Sequence, residues 1–111
     1  MPHIIVEYSK SLEPQTDVLA LVNDLHEGLA AQGIDKARIK SRAIAVDHVV
    51  VGDKGADGVM AHATLLLLEG RDIATKKQYG DVLYEVMKAA APQGCSVTLE
   101  VRDMVKDTYY M

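Results

Sequence analysis

Residues 61–72 of this 111-residue chain read AHATLLLLEGRD and decide the fold. The apolar run Leu65–Leu68 predicts a buried strand, and Asp72 is of the residue type that commonly caps the amino end of a helix. The same order already opens the chain, because residues 3–8 (HIIVEY) have a strand pattern and apolar residues follow at helical spacing. A second copy of the first structural unit therefore begins near residue 61.

The two predicted helices share an offset of 61 residues. Their apolar positions are Val18, Leu21, Val22, Leu25 and Leu29 in the first, and Tyr79, Val82, Leu83, Val86 and Ala90 in the second. A Gln-Gly pair follows each helix at the same offset (94 − 33 = 61 for the glycines). Glycine commonly ends a helix, and Pro14 suits the first turn of the first helix.

A further strand completes each unit, over Arg38–Val46 in the first and over residues 97–102 in the second. The chain is therefore predicted to be one α+β domain, residues 1–111, with pseudo-repeats at about 2–47 and 61–104. Right-handed β-α-β crossovers would give a four-stranded sheet with two helices on one face.

The strands indicate how the second face of that sheet is covered. Leu65–Leu68 and Ile4–Val6 are apolar on both sides, as in strands that are buried on both faces. Since two helices cover only one face, we expect another subunit on the other and predict a homo-oligomer. The alternative is that segments 47–60 and 103–111 fold over it.

Composition excludes several classes of function. The net charge of −4 argues against nucleic acid as a partner, because phosphate binding needs a basic surface. The single Cys95 excludes an internal disulfide and suits a reducing compartment. With no signal-peptide pattern and no run that could span a membrane, the sequence predicts a cytoplasmic protein.

Pro2 stands directly before the first predicted strand. If Met1 is removed, Pro2 becomes the N-terminal residue and carries a secondary amine. An α-amino group has a pKa of about 7.7–8.0, which burial or nearby cations lower further. Pro2 is therefore a candidate general base.

Cationic residues are the second candidate group. Arg38, Lys40 and Arg42 alternate along the second predicted strand, and Arg71 follows the third. Arginines that converge on one pocket suit an anionic substrate, because a guanidinium grips a carboxylate through two hydrogen bonds. We expect Arg38 to be a surface charge. The four histidines lack metal-ligand spacing, and the glycines between 52 and 58 lack the lysine of a phosphate loop.

At these positions the chain resembles the tautomerase superfamily, and within it the 5-carboxymethyl-2-hydroxymuconate Δ-isomerases. The residues that carry the resemblance are Pro2–Glu7, Gly33-Ile34, Ile39–Arg42, Val46-Asp47, His62–Leu65 and Gly70-Arg71. The segment Leu67–Asp72 also resembles the opening strand of the short 4-oxalocrotonate tautomerases.

The resemblance implies a cofactor-free and metal-free isomerase of aromatic-compound breakdown, in the homoprotocatechuate pathway, that works as a homotrimer. Pro2 is the implied catalytic base, and Arg71 and Lys40 are the implied carboxylate-binding residues. Lys40 stands where the family has an arginine, with Arg42 two residues on as a substitute. Another proline-dependent reaction, such as phenylpyruvate tautomerisation or dehalogenation, is therefore an alternative, as is a non-catalytic trimeric binding module.

Overall fold

One mixed sheet of four strands organises the computed structural model, which describes residues 1–111. The strands are β1 (His3–Ser9), β2 (Lys40–Val46), β3 (Met60–Leu68) and β4 (Ser96–Met104), and the helices are α1 (Val18–Ala30) and α2 (Ile73–Ala90). The sheet order is β2-β1-β3-β4, with β1 parallel to β2, β3 parallel to β4, and β1 antiparallel to β3. This confirms the predicted four-stranded sheet built from two β-α-β units.

The core lies between the helices and one face of the sheet. Alternate residues of β1 and β3 point to that face and are fully buried, among them Ile4, Val6, Leu65 and Leu67. They meet the apolar stripes of the helices, whose buried members are Leu21, Leu25 and Leu29 in α1 and Leu83 and Met87 in α2. Neither helix has the length and apolar character needed to cross a membrane.

Two predicted boundaries were wrong. Pro14 does not lie in α1, because the chain leaves β1 through a 3-10 turn whose Leu12 carbonyl accepts hydrogen bonds from the next residues, and Asp17 caps α1 instead. Arg38 does not lie in β2. The Asp35 carboxylate accepts a hydrogen bond from the Ala37 amide at 3.1 Å and starts a 3-10 turn that ends at Arg38.

The two units match at their turns but shift along their helices. Gly33 and Gly94 both have a positive φ, 95° and 87°, so each Gln-Gly pair reverses the chain in the same way. The deeply buried residues Leu25 and Leu83, however, are 58 residues apart (83 − 25), not the predicted 61. The extra length is in α2, which has 18 residues against 13 in α1.

The helix-free face of the sheet carries the other alternate residues, including His3, Ile5, Ile44 and Leu66. Within one subunit the C-terminal segment covers the His3 corner through Tyr109, as the alternative explanation requires in part. Ile44 nevertheless remains 51% exposed, and Leu66 is only half-buried. The need for a further covering surface therefore remains, and the homo-oligomer stays a prediction.

Candidate active site

The strand directions gather the candidate residues at one end of the sheet. β1 and β2 begin at this end, whereas β3 and β4 finish there. In register, His3 lies opposite Lys40 on one side and opposite Leu66 on the other. Pro2 at the start of β1, Lys40 at the start of β2 and Arg71 just after β3 therefore lie at the same end of the molecule.

Pro2 is fully buried at this end. Its carbonyl accepts a hydrogen bond from the Lys40 amide at 3.0 Å, which fixes the start of β1 against β2. Met1 precedes it, and the Met1 amine donates to the Arg38 carbonyl at 3.1 Å. Burial, and after it the charge of Lys40, hold the pKa of that amine below its usual value of about 8.0. The surroundings thus disfavour a protonated amine at the start of β1.

Lys40 is the cation whose charge lowers the pKa of this amine most. Its ammonium donates to the Arg38 carbonyl at 3.4 Å, the same oxygen that binds the Met1 amine. Arg38 itself is exposed and pairs with Asp35 at 3.8 Å, which agrees with the surface charge that we expected. Lys40 therefore supplies the positive charge beside the start of β1.

Arg71 lies just after β3, where the chain turns towards α2. Gly70 has a φ of 120°, a conformation that favours glycine, and Asp72 then caps α2 by accepting a hydrogen bond from the Thr75 amide at 2.8 Å. Hydrogen bonding from Thr75, first from its side chain and then from its backbone amide, lowers the pKa of the Asp72 carboxyl. The half-buried Arg71 side chain folds back to donate to the Leu68 carbonyl at 3.3 Å.

Arg42 reaches His3, the residue that follows Pro2. It points along the helix-free face, where its guanidinium donates to Nδ1 of His3 at 3.0 Å. The other ring nitrogen of His3, Nε2, lies 2.8 Å from the Tyr109 hydroxyl. Burial, followed by the charge of Arg42, lowers the pKa of His3.

Sequence reasoning missed His3 and Tyr109. Their contact joins residues 106 positions apart, and nothing in the short segments around them predicts that contact. The only sequence signal is that His3 adjoins Pro2 and that apolar residues end the chain.

The main cavities of a single subunit lie away from these residues. A groove of about 700 Å³ runs between α2 and β4, and another cavity lies at the opposite end of β1 beside Asp47 and His48. Pro2, Lys40, Arg42 and Arg71 line none of the five principal cavities. No group of three His, Cys, Asp or Glu side chains is arranged to hold a metal ion.

Known proteins resemble this chain over most of its length. The family model described as 5-carboxymethyl-2-hydroxymuconate isomerase matches residues 2–109. The Escherichia coli 5-carboxymethyl-2-hydroxymuconate Δ-isomerase is 36% identical over 89 residues, which are 79% of this chain and 71% of that protein.

Solved structures support the fold. A 5-carboxymethyl-2-hydroxymuconate isomerase from Deinococcus radiodurans R1 superposes with a TM-score of 0.89 at 23% identity, over 99% of this chain and 87% of the other. A fused 4-OT described as a symmetric trimer has a TM-score of 0.77 at 10% identity, over 98% of this chain and 92% of the other. At these identities the likeness shows the tautomerase-like fold alone.

Proposed function

Because this chain belongs to the 5-carboxymethyl-2-hydroxymuconate isomerase family, as the sequence resemblance predicted, we propose that it converts 5-carboxymethyl-2-hydroxymuconate, or a similar dienol di- or tricarboxylate, to the conjugated ketone. The protein is an isomerase of the tautomerase superfamily. One observation carries the proposal for its site: Pro2 is buried at the start of β1, beside Lys40 and at the same sheet end as Arg71.

The proposed base is the Pro2 amine after Met1 has been removed. With Met1 attached, the Pro2 nitrogen is a tertiary amide and has no basic lone pair. Once it is free, its burial and the Lys40 charge favour the neutral amine, as they do for the amine of Met1. A neutral secondary amine near pH 7 is suited to general base catalysis.

The proton transfer conserves atoms and charge. The amine takes the proton from the enol oxygen, the O–H electron pair forms the carbonyl, and the conjugated double bonds shift. A distant carbon of the dienol then takes a proton back from the ammonium, which regenerates the neutral amine. A positioned proton transfer of this kind typically contributes about 10²–10⁴-fold in rate.

The proposed carboxylate-binding groups are Lys40 and Arg71. Their charges also stabilise the negative charge that develops along the conjugated chain. Arg42 is the further candidate, since its guanidinium carries five N–H groups and the contact with His3 uses only one nitrogen. A small anionic substrate is therefore the proposed ligand, and the net charge of −4 makes nucleic acid a poor one.

We also propose a homotrimer. Ile44 is 51% exposed on the helix-free face, and the candidate residues line no principal cavity within one subunit. A neighbouring subunit that packs on this face would bury Ile44 and close the site near the subunit boundary. The fused 4-OT of the same fold is described as a symmetric trimer.

The test is an isomerisation assay monitored by ultraviolet absorbance, on protein whose lack of Met1 has been established by mass spectrometry. The proposal predicts rapid turnover of 5-carboxymethyl-2-hydroxymuconate. Lys40, which lacks the planar grip of arginine, favours another proline-dependent reaction as the second candidate. Turnover of enol-phenylpyruvate or a haloacrylate without turnover of the muconate would establish that candidate instead. Turnover of none of them would favour the binding module.

A further inference from the structure

The C-terminal segment, residues 105–111, crosses the end of the sheet that holds the candidate site. The Lys106 amide donates to the Glu69 carboxylate at 2.6 Å, directly after β3. Three residues later, Tyr109 reaches His3, the first residue of β1. The segment thus runs from the edge strand β4, past the end of β3, to the strand that follows Pro2.

The hydrogen bonds of His3 have a fixed direction. A guanidinium can only donate, so Nδ1 of His3 accepts from Arg42. His3 is therefore neutral, its hydrogen is on Nε2, and that N–H donates to the Tyr109 oxygen at 2.8 Å. Burial of the ring favours the neutral form, as do the charges of Arg42 and Lys40, and the β3 neighbour, Leu66, is apolar.

The hydrogen of the Tyr109 hydroxyl is consequently free to be donated to another group. Its oxygen accepts from His3, and its hydrogen makes no other hydrogen bond within the subunit. The ring is held edge-on against His3, with centroids 5.9 Å apart and planes at 77°. The side chain is half-buried, whereas the next residue, Tyr110, is 91% exposed and makes no such contact.

We propose that Tyr109 is a further substrate-binding residue of the Pro2 site, whose hydroxyl donates a hydrogen bond to an oxygen of the anionic substrate. His3 and Arg42 are the positioning residues that orient it. The inference rests on the proposed function. Because the Tyr109 hydroxyl is held in place by His3, its hydrogen bond would orient the substrate. It would favour substrates that have an oxygen opposite this hydroxyl over those that lack one.

The first test compares Tyr109→Phe with Tyr110→Phe, which removes the same hydroxyl one residue away. For Tyr109→Phe we expect kcat/KM for 5-carboxymethyl-2-hydroxymuconate to fall about 3- to 10-fold, the usual worth of one neutral hydrogen bond. Tyr110→Phe should match the unmodified protein. The same fall is expected in the affinity for this substrate on a Pro2→Ala background, measured by titration calorimetry.

The second test separates orientation from simple packing. His3→Leu removes the donor to Tyr109, whereas the amide of His3→Gln is able both to accept from Arg42 and to donate to Tyr109. We expect His3→Leu to lower substrate affinity as much as Tyr109→Phe, with no further loss in the double variant, and His3→Gln to restore most of it. Thermal denaturation of each variant reports folding independently.

The outcomes distinguish the inference from the function on which it rests. If Pro2→Ala abolishes turnover but folded Tyr109→Phe binds and reacts like Tyr110→Phe, the inference fails and the proposed function stands. If Tyr109→Phe weakens binding while the unmodified protein shows no turnover, the inference stands and the proposed reaction fails. Absence of both binding and turnover in the unmodified protein overturns both.

Discussion

At the level of single residues, the start of β1 combines a buried proline with a neighbouring cation. Pro2 is fully buried, and Lys40 is joined to it through the backbone and to the same Arg38 carbonyl as the preceding amine. Burial and positive charge both favour the neutral amine, so they act in the same direction. This makes the start of β1 suited to a base, and it would give Lys40 a second role besides the proposed binding of carboxylate.

Lys40→Gln should separate these two roles. An amine whose pKa is depressed loses its proton at lower pH, so the activity of a proline base rises with pH through that lowered pKa. Without the Lys40 charge the pKa of Pro2 rises, and the ascending limb of kcat/KM moves to higher pH. Lys40→Arg keeps the charge and should keep the limb in place. The measurement is the pH dependence of kcat/KM for the unmodified protein, Lys40→Gln and Lys40→Arg, each free of Met1. Identical ascending limbs for the unmodified protein and Lys40→Gln would contradict the effect of Lys40 on the pKa of Pro2.

Arg71→Ala should weaken substrate binding. A charge-assisted hydrogen bond is worth about 1.5–3 kcal/mol, so KM is expected to rise about 10- to 150-fold. Lys10→Ala is the matched control, because Lys10 precedes Arg71 by the repeat offset (71 − 10 = 61) yet lies at the opposite end of the sheet, 3.9 Å from Asp47. Steady-state kinetics of both variants decide the point. Equal effects would mean that overall charge matters and not the place of Arg71.

At the level of elements, sequence patterns predicted what depends on local periodicity. The strands and the helical stripes were found because alternation and three- or four-residue spacing are local properties. The start of α1 was not predicted correctly, because Pro14 is compatible both with a first helical turn and with the turn that it occupies before Asp17. Likewise, Arg38 has a strand-like spacing, but the Asp35 side chain competes for the backbone and makes a 3-10 turn.

We expect the packing of α1 against the sheet to be the main source of the stability of this helix. Leu25 is fully buried, so Leu25→Ala is expected to lower the free energy of unfolding by about 2–5 kcal/mol through lost burial and a residual cavity. Leu19, on the same helix, is 72% exposed, and Leu19→Ala should change the free energy of unfolding by less than about 0.5 kcal/mol. Denaturant titration measures both, and comparable losses would show that α1 is packed differently.

At the level of the whole molecule, the convergence of the site follows from the topology. The β-α-β repeat brings the start of β1 and the end of β3 to the same end of the sheet, so the predicted topology was sufficient to place Pro2, Lys40 and Arg71 at that end. The sequence did not predict the contact of Tyr109 with His3. That contact depends on how the end of the chain crosses the sheet, for which no local pattern exists.

The exposed helix-free face gives a prediction about assembly. A homotrimer should have three times the subunit mass of 12.1 kDa, about 36 kDa, by light scattering after size-exclusion chromatography. Ile44→Lys places a charge on that face and should dissociate the trimer, because a buried unpaired charge is costly. Leu19→Lys, on the opposite side of the molecule, should leave the mass unchanged. A monomeric unmodified protein would contradict the trimer directly.

The proposed reaction depends on the amine of Pro2 acting as the base, and Pro2→Ala tests that role. Turnover of 5-carboxymethyl-2-hydroxymuconate is measured for the Met1-free protein and for Met1-free Pro2→Ala, together with the substrate affinity of each. Proline catalysis predicts that kcat falls by about 10²-fold or more, while affinity changes little. A Pro2→Ala protein that keeps the kcat of the unmodified chain would show that another group takes the proton.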